Sequence, residues 1–525
     1  MVSYTSFHLK HPWCMPNHKS THMKATLISI LFTAVGFPAL GASVVFNITQ
    51  YGAVGDGKNL TSAAINNAID AASSAGGGTV YFPAGTWLCG SIHLKSNVTL
   101  FLEQGSTILV TDDPEAYDAP EPNDWEHFQD FGHSHFHNSL MWGAGLENVA
   151  IEGPGRIYGK GLTRSEKQPR LGNKAICLKL SRNVTIKDIS ILQGGWFGIL
   201  ATGVDNLTID NVKIDTNRDG MDIDACRNVH ISNCSVNSPY DDGICLKADY
   251  SLGFFRDVEN VTITNCHVTG FDPGTFLDGT YQRTLFHEPN SSGPTGRIKF
   301  GTESSGGFKQ IAISNSVFEY CRGLALETVD GGQLEDVTIS NIVMHDIANS
   351  PIFLRLGSRL RSPKNTPVGE LRRISISNFT VYNADPRFGS IISGIPGHDI
   401  QDVKLSNIRI YYRGGGTKGQ AALNPAENET MYPEPRMFGD IPAYGFFIRH
   451  VTGLQLNDVQ VSYLNEDFRP AFLLEHVSGV KFDNATGQHA AGIPTIVLKD
   501  VDDFRAHDTP FVQDTELKSV KERQF

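Results

Sequence analysis

The sequence predicts an all-β chain folded as a right-handed parallel β-helix. Three observations carry that prediction. From about residue 97 one short pattern recurs: SNVTLFLEQGSTI, ENVAIEGPGRI, RNVTIKDISIL, DNLTIDNVKI, RNVHISNCSV, ENVTITNCHV, KQIAISNSVF, EDVTISNIVM, RRISISNFTV and QDVKLSNIRI. Each copy is a β-branched strand, a polar turn often holding Asn, and a second short strand. Copies lie roughly 22 to 37 residues apart, with longer gaps near 270–296 and 415–445, and weaker copies follow at 453–461 and 479–485. Self-similarity at that period means a solenoid, whose units bury their apolar faces only against neighbours. Second, no helix accompanies each copy and the L-x-x-L-x-L register of a leucine-rich repeat is missing, which selects the β-helix. Third, one helical segment precedes the repeats, where a solenoid needs a cap.

The elements follow in order. From Met23 the chain reads MKATLISILFTAVGFPALGAS, one Lys, an apolar run from Leu27 to Phe37, then small residues. That is the layout of a secretory signal peptide with a cleavage site near Ala39-Leu40-Gly41. The run is shorter than the ~18 residues of a membrane span. Residues 1–22 lack this layout, so translation is expected to begin at Met23. The expected organisation is an extension at 1–22, a signal peptide at 23–42 and a single β-helix domain at 43–525. Residues 61–74 read as the cap helix, with Thr61 or Ser62 as N-cap and Ala64, Ile65, Ala68, Ile69 and Ala72 as its apolar stripe. Gly76-Gly77-Gly78 ends it before a strand at 79–82. No GK[ST] follows, so this is not a phosphate loop. The tail after about Pro494 is irregular and closes the far end.

The N-x-T triplets fall at equivalent repeat positions and read as stacked turn asparagines rather than glycosylation signals. Seven Cys follow the signal, an odd number without a framework spacing; Cys234 and Cys266 occupy equivalent places and read as stacked thiols, a bridge between coils being the alternative. Inserts at 112–140, 270–296, 357–369 and 415–445 are loops on the stack, placed to wall a groove. The first is rich in aromatic and imidazole groups (Trp125, His127, Phe128, Phe131, His133 and their neighbours up to Trp142), suited either to sugar faces or to packing on the helix flank. The net charge of −12 argues against a nucleic-acid binder, yet leaves room for a basic cleft and an anionic ligand.

The chemistry concentrates in Asn217–Lys247, NRDGMDIDACRNVHISNCSVNSPYDDGICLK. If each repeat is one turn of the coil, Asp219 lies beside the Asp241–Asp242 pair. Carboxylates so close repel, and one is driven towards its protonated form. An acid beside an ionised base is what glycoside hydrolysis needs. Any single Asp on such a fold is more often a turn residue. Here Asn-x-Asp-Gly stands one coil before Asp-Asp-Gly, with apolar strands between.

In that pair of motifs, the cap and the repeat, the chain from about Tyr51 to Asn484 resembles glycoside hydrolase family 28, the polygalacturonases and their relatives, on a pectin-lyase-like solenoid. The resemblance implies Asp241 as general acid and Asp219 and Asp242 as the carboxylates that position and deprotonate water. It implies inversion, for which carboxyl groups about 6.5–9.5 Å apart are expected. Asp222 and Asp224 read as turn and stack residues. The family's Gly-His-Gly is missing: where it should stand the chain has Gly296-Arg297-Ile298-Lys299-Phe300-Gly301, with Arg297 near the His position. The family's Arg-Ile-Lys belongs one coil later, where the chain has Gly323-Leu324-Ala325-Leu326-Glu327. Arg297, Lys299, Lys247, Glu303 and Arg355 are the expected substrate-binding residues, with Tyr281 and Arg283 either lining a subsite or packing within their insert. Glu327 adds a carboxylate nearby, while Arg359 and Arg361 read as solvated charges.

The expectation is therefore a secreted, extracellular or periplasmic monomer that hydrolyses α-galacturonosidic bonds of pectic polysaccharides or oligosaccharides. It needs no cofactor and no metal, binds no nucleic acid and keeps no membrane segment after signal cleavage. Rhamnogalacturonan hydrolysis, a Ca²⁺-dependent polysaccharide lyase and a non-catalytic carbohydrate-binding β-helix are the alternatives. The long inserts favour a blocked, pocket-like groove and hence exo action.

Overall fold

The computed structural model describes residues 44–284 and 293–525. The expected signal peptide at 23–42, the expected extension at 1–22 and Cys14 lie outside the described residues. Among those described, 35 strands join one continuous ribbon of sheet whose pairings are parallel until the last. A typical coil runs Asp205–Asp210, Lys213–Asp215, then Asp219–Asp224, each strand pairing with its equivalent in the next coil. Alternate side chains point inwards, and equivalent ones stack. Ile186, Ile209, Ile231, Ile263, Ile313, Ile339 and Ile376 form one such column, in register coil after coil and almost fully buried. Each buried Ile contributes about 1.5–3 kcal/mol of transfer free energy. Because a one-residue slip would turn the column outwards, length variation is pushed into the turns. That is why the inserts emerge as loops while the register survives.

The turn asparagines stack as the sequence predicts. Asn148, Asn183, Asn206, Asn228 and Asn260 each donate Nδ2 to the Oδ1 of the Asn one coil earlier, at 2.8–3.1 Å, starting from Asn97. All have φ between 55° and 63°, a left-handed conformation that Asn tolerates better than other chiral residues. A second ladder joins Asn315, Asn341, Asn378 and Asn407. The amide nitrogen that a glycan would need is the ladder's donor. The seven described cysteines are free and buried. Register places Cys234 against Cys266 as a stacked thiol pair.

The N-terminal cap α1 spans Ser62–Ser74 and buries Ile65, Ala68, Ile69 and Ala72. Its expected capping side chains are used elsewhere. The Thr61 hydroxyl accepts from the Val54 N–H at 3.3 Å, and the Ser62 hydroxyl from the Gly90 N–H at 2.8 Å, fixing the cap to the first coils. Gly77 (φ 131°) passes so close to the stack that a Cβ there would meet the Asn97 carbonyl oxygen at 2.5 Å. The C-terminal end differs from expectation. The tail is not irregular: Ile496–His507 continues the stack, and Thr515–Gln524 pairs with it antiparallel. That last strand is largely exposed and charged, a composition that blunts an open sheet edge.

One face of the coil carries the chemistry. Its strands are β1 (Phe197–Thr202), β2 (Asp219–Asp224), β3 (Ile244–Ala248), β4 (Ile298–Ser304), β5 (Leu324–Thr328) and β6 (Ile352–Leu356).

Candidate active site

The floor follows from strand register. Met221 of β2 pairs with Ile244 of β3, so Asp219 falls beside Asp242, and the Gly220 N–H donates to the Asp242 carbonyl at 3.0 Å. Asp219, Asp241 and Asp242 each place one carboxylate oxygen within 4.8 Å of the others. That ceiling on their nearest oxygens is shorter than the spacing of about 6.5–9.5 Å expected between the carboxyls of an inverting acid and base, so the closeness gives inversion no support. Asp219 and Asp242 are 2% exposed, whereas the Asp241 side chain keeps 31% of its surface.

The three carboxyls differ electrically. Arg297 donates Nε–H to Asp242 Oδ1 at 2.9 Å, and Lys299 Nζ stands 3.3 Å from Oδ2. Burial alone would raise Asp242, but Lys299, Arg297 and Lys247 hold it well below the usual carboxylate range. Asp219 goes the other way: burial, then Asp222 and Asp241, raise it well above that range, against weaker pulls from Lys247 and Arg218. Its Oδ1 has no hydrogen-bond partner. Burial and its acidic neighbours therefore bias Asp219 towards its protonated form in the free site. Arg218 Nε donates to Asp241 Oδ2 at 3.0 Å, and its guanidinium lies over the Trp196 ring at 4.2 Å.

Lys299 pairs with Ala325 in register, so Arg297-Ile298-Lys299 does stand one coil before the family's Arg-Ile-Lys position. Both cations are buried, and beyond Asp242 they face two further carboxylates. Glu327 lies 3.5 Å from Lys299, with burial raising it to about 7 against the pull of Lys299 and Arg297. Glu434 touches Arg297 Nη2 and accepts from Arg322 at 3.0 Å; Arg297, Arg322 and Lys299 overcome its burial and lower it to about 2. Lys247 sits between Glu303 at 3.1 Å and Asp222 at 3.4 Å. Asp222, which reads in sequence as a turn or stack residue, is instead a fully buried member of the site. Its Oδ2 shares a hydrogen bond with His133 Nε2 at 2.9 Å, and it adjoins Asp219. Asp224 is structural, accepting from the Asp249 N–H and the Ser251 hydroxyl.

The inserts build the walls. The 112–140 insert leaves one edge of the face and crosses to the other: His133 packs on Phe197 and meets Asp222, while Trp125 Nε1 donates to the Ser251 carbonyl at 2.7 Å. Its aromatic groups mostly pack, as in the Phe131–His135 and His137–Trp142 stacks. Asp130 at its tip receives Arg361 from the 357–369 insert at 2.9 Å. Arg361 and Arg359 are thus not solvated charges, and Arg359 clamps Asp330 with Nε and Nη2. The 415–445 insert closes the other side and brings Tyr432 and Glu434 over Lys299 and Arg297.

Arg355 and Tyr281, expected to bind substrate, are engaged by the protein's own groups. Arg355 is 1% exposed and donates to the Ser393 hydroxyl and to the carbonyls of Gly394, Glu427 and Asn428. With Arg449, which donates to the carbonyls of Pro425 and Ala426, it latches the 415–445 insert. Tyr281 packs on Phe271 and Phe276 within its own insert, and Arg283 pairs with Glu319 and Asp346. These contacts hold both residues to their own insert and its neighbouring coils. Arg218, Asp222, His133, Tyr432 and Glu434 are site residues that sequence reasoning missed. Arg218 was legible as the middle residue of Asn217-x-Asp219; Glu434, 137 residues from Arg297, gave no local signal.

Residues 45–108 match the family model described as rhamnogalacturonase A/epimerase, pectate lyase-like, and residues 166–291 match the right-handed beta helix region. The chain is 24% identical over 446 residues to a Vitis vinifera protein named "Probable polygalacturonase", covering 80% of this chain and 84% of that protein. It is 26% identical to an exo-poly-alpha-D-galacturonosidase of Dickeya chrysanthemi, over 59% of this chain and 57% of that one. These similarities support a polygalacturonase-like glycoside hydrolase. Solved structures share its fold: a Thermotoga maritima exopolygalacturonase at TM-score 0.59 and 18% identity, covering 92% of this chain and 95% of the other, and a Yersinia enterocolitica family 28 exopolygalacturonase at 0.62 and 17%, covering 85% and 79%.

Proposed function

We propose that the chain is a secreted, exo-acting hydrolase of α-galacturonosidic bonds in pectin-type polysaccharides. The observation that carries this reading is the Asp219–Asp241–Asp242 cluster, with one carboxyl biased towards protonation and another held ionised. Asp241 is the acid, because it alone of the three reaches the open side of the pocket where a glycosidic oxygen must arrive. Asp219, within 4.8 Å, is the nearest store of the proton Asp241 delivers. Asp242 activates water. Both its oxygens are engaged by Arg297 and Lys299, which keeps it ionised and fixes its orientation towards the water; inversion is carried over from the family resemblance. The two crossing inserts support action at a chain end. The named relatives act on polygalacturonate by their names, and the substrate class is taken from them. Secretion rests on the signal-like layout after Met23, and a monomer is the working state.

Incubation with galacturonan oligosaccharides should release the terminal sugar one unit at a time, with the opposite anomer appearing first in proton NMR. Internal cleavage would remove the exo reading, and a retained anomer would remove inversion. Product absorbance near 235 nm would instead identify a lyase. The match of residues 45–108 to the rhamnogalacturonase model favours a second reading, rhamnogalacturonan hydrolysis. That stretch carries the cap and first coils and none of the three acids, so it bears on architecture more than on substrate; rhamnogalacturonan oligosaccharides in the same assay decide it. N-terminal sequencing of the exported protein tests the signal peptide.

A further inference from the structure

The buried cations of this pocket are already paired with the protein's own carboxylates; the exposed Arg164, which donates to the Asn217 carbonyl beside the site, is not among them. Arg297 binds Asp242 and Glu434; Lys299 binds Asp242 and stands 3.5 Å from Glu327; Lys247 lies between Glu303 and Asp222. Arg322, at the rim, shares Glu434. All but Arg322 are at most 9% exposed by side chain. A sugar carboxylate arriving here finds Arg297 Nη2 already held by Glu434, part of the fork such a group would use. The buried oxygens left unpaired in the floor are Asp219 Oδ1, Asp222 Oδ1, Glu327 Oε1 and Asn217 Oδ1, and beside them Arg322 Nε is an unpaired donor. The oxygens outnumber it and suit sugar hydroxyls or water better than an anion.

We propose that Glu434 fills the seat a substrate carboxylate would take, so that the pocket selects a glycosyl residue without a free carboxylate, such as the methyl-esterified form of galacturonate found in pectin. This rests on the hydrolytic reading above and narrows its substrate. The 415–445 insert supplies the selecting group, latched in place by Arg355 and Arg449. Like charges brought together at a binding site are a strong device against the wrong ligand.

The test compares trigalacturonide with its methyl ester under mildly acidic conditions, where the ester is stable. The expected result is a kcat/KM for the ester on the order of tenfold or more above that for the free acid, a difference of about 1.4 kcal/mol. Glu434→Gln, which keeps the shape and removes the charge, should reduce that preference by moving the free-acid value upwards. Faster hydrolysis of the free acid by the unaltered enzyme overturns the proposal and leaves the hydrolytic function standing. No hydrolysis of either compound overturns the galacturonan-hydrolase reading instead. If Glu434→Gln does not fold, the comparison in the unaltered enzyme alone decides.

Discussion

Replacing Arg297 by Gln tests the electrostatic centre of the site. Arg297 is 1% exposed and bridges Asp242, Glu434 and, at 3.9 Å, Glu327. Removing one partner of a buried ion pair typically costs about 3–5 kcal/mol, because the other charge is left desolvated. Against its burial, the Glu434 carboxyl is lowered from 4.5 to about 2 by Arg297, Arg322 and Lys299 together, so part of the stability that pairing contributes is lost with Arg297. The sign is set by the depression: this stability is fully present above pH 4.5 and is lost as pH falls towards 2. Denaturant unfolding of Arg297→Gln followed by tryptophan fluorescence should show a loss of about 3–5 kcal/mol at neutral pH. It should also show a flatter pH dependence between pH 4.5 and pH 2. Adding Glu434→Gln should recover about 2 kcal/mol or more through the coupling term of the double-mutant cycle. Strict additivity of the two substitutions, within about 0.5 kcal/mol, would refute the reasoning.

The remaining predictions concern turnover, the wall and the ladder. Asp241→Asn should lower kcat by about three orders of magnitude or more with unchanged circular dichroism, since a general acid and its surroundings act as a unit; near-normal turnover would end the assignment. Arg355→Met together with Arg449→Met should loosen the 415–445 insert, seen as faster amide exchange over residues 425–434 and a raised KM; unchanged exchange there would show that other contacts hold the loop. Asn206→Val should cost about 2 kcal/mol, because φ at this position is 56° and a β-branched residue is strained there while one ladder rung is lost. Asn206→Gly should cost less than Asn206→Val, and the reverse order would argue against backbone strain.

Much of the fold is legible because a solenoid writes its architecture as a repeat. The β-branched pattern marks the coils, the turn asparagines mark the left-handed positions, and the apolar stripe after Thr61 marks the cap. The closing hairpin is not legible, since Thr515–Gln524 alternates too weakly to show which way it runs. The acids are legible because they lie on one strand and on the turn of the next coil. Asp222 looks architectural in the sequence because its burial depends on His133, 89 residues away. Arg355 looks substrate-binding because nothing local shows that the carbonyls of Glu427 and Asn428 will reach it.

The sequence by itself determined the coil, its register and the meeting of Asp219 with Asp241 and Asp242, because parallel stacking turns sequence period into spatial adjacency. Only the tertiary structure decided what surrounds them. The inserts that cross the face come from distant turns, and their carboxylates settle which cations remain free for a ligand. Charge compensation in a buried site depends on distance through space, and no period in the chain records where Glu434 and His133 will come to rest.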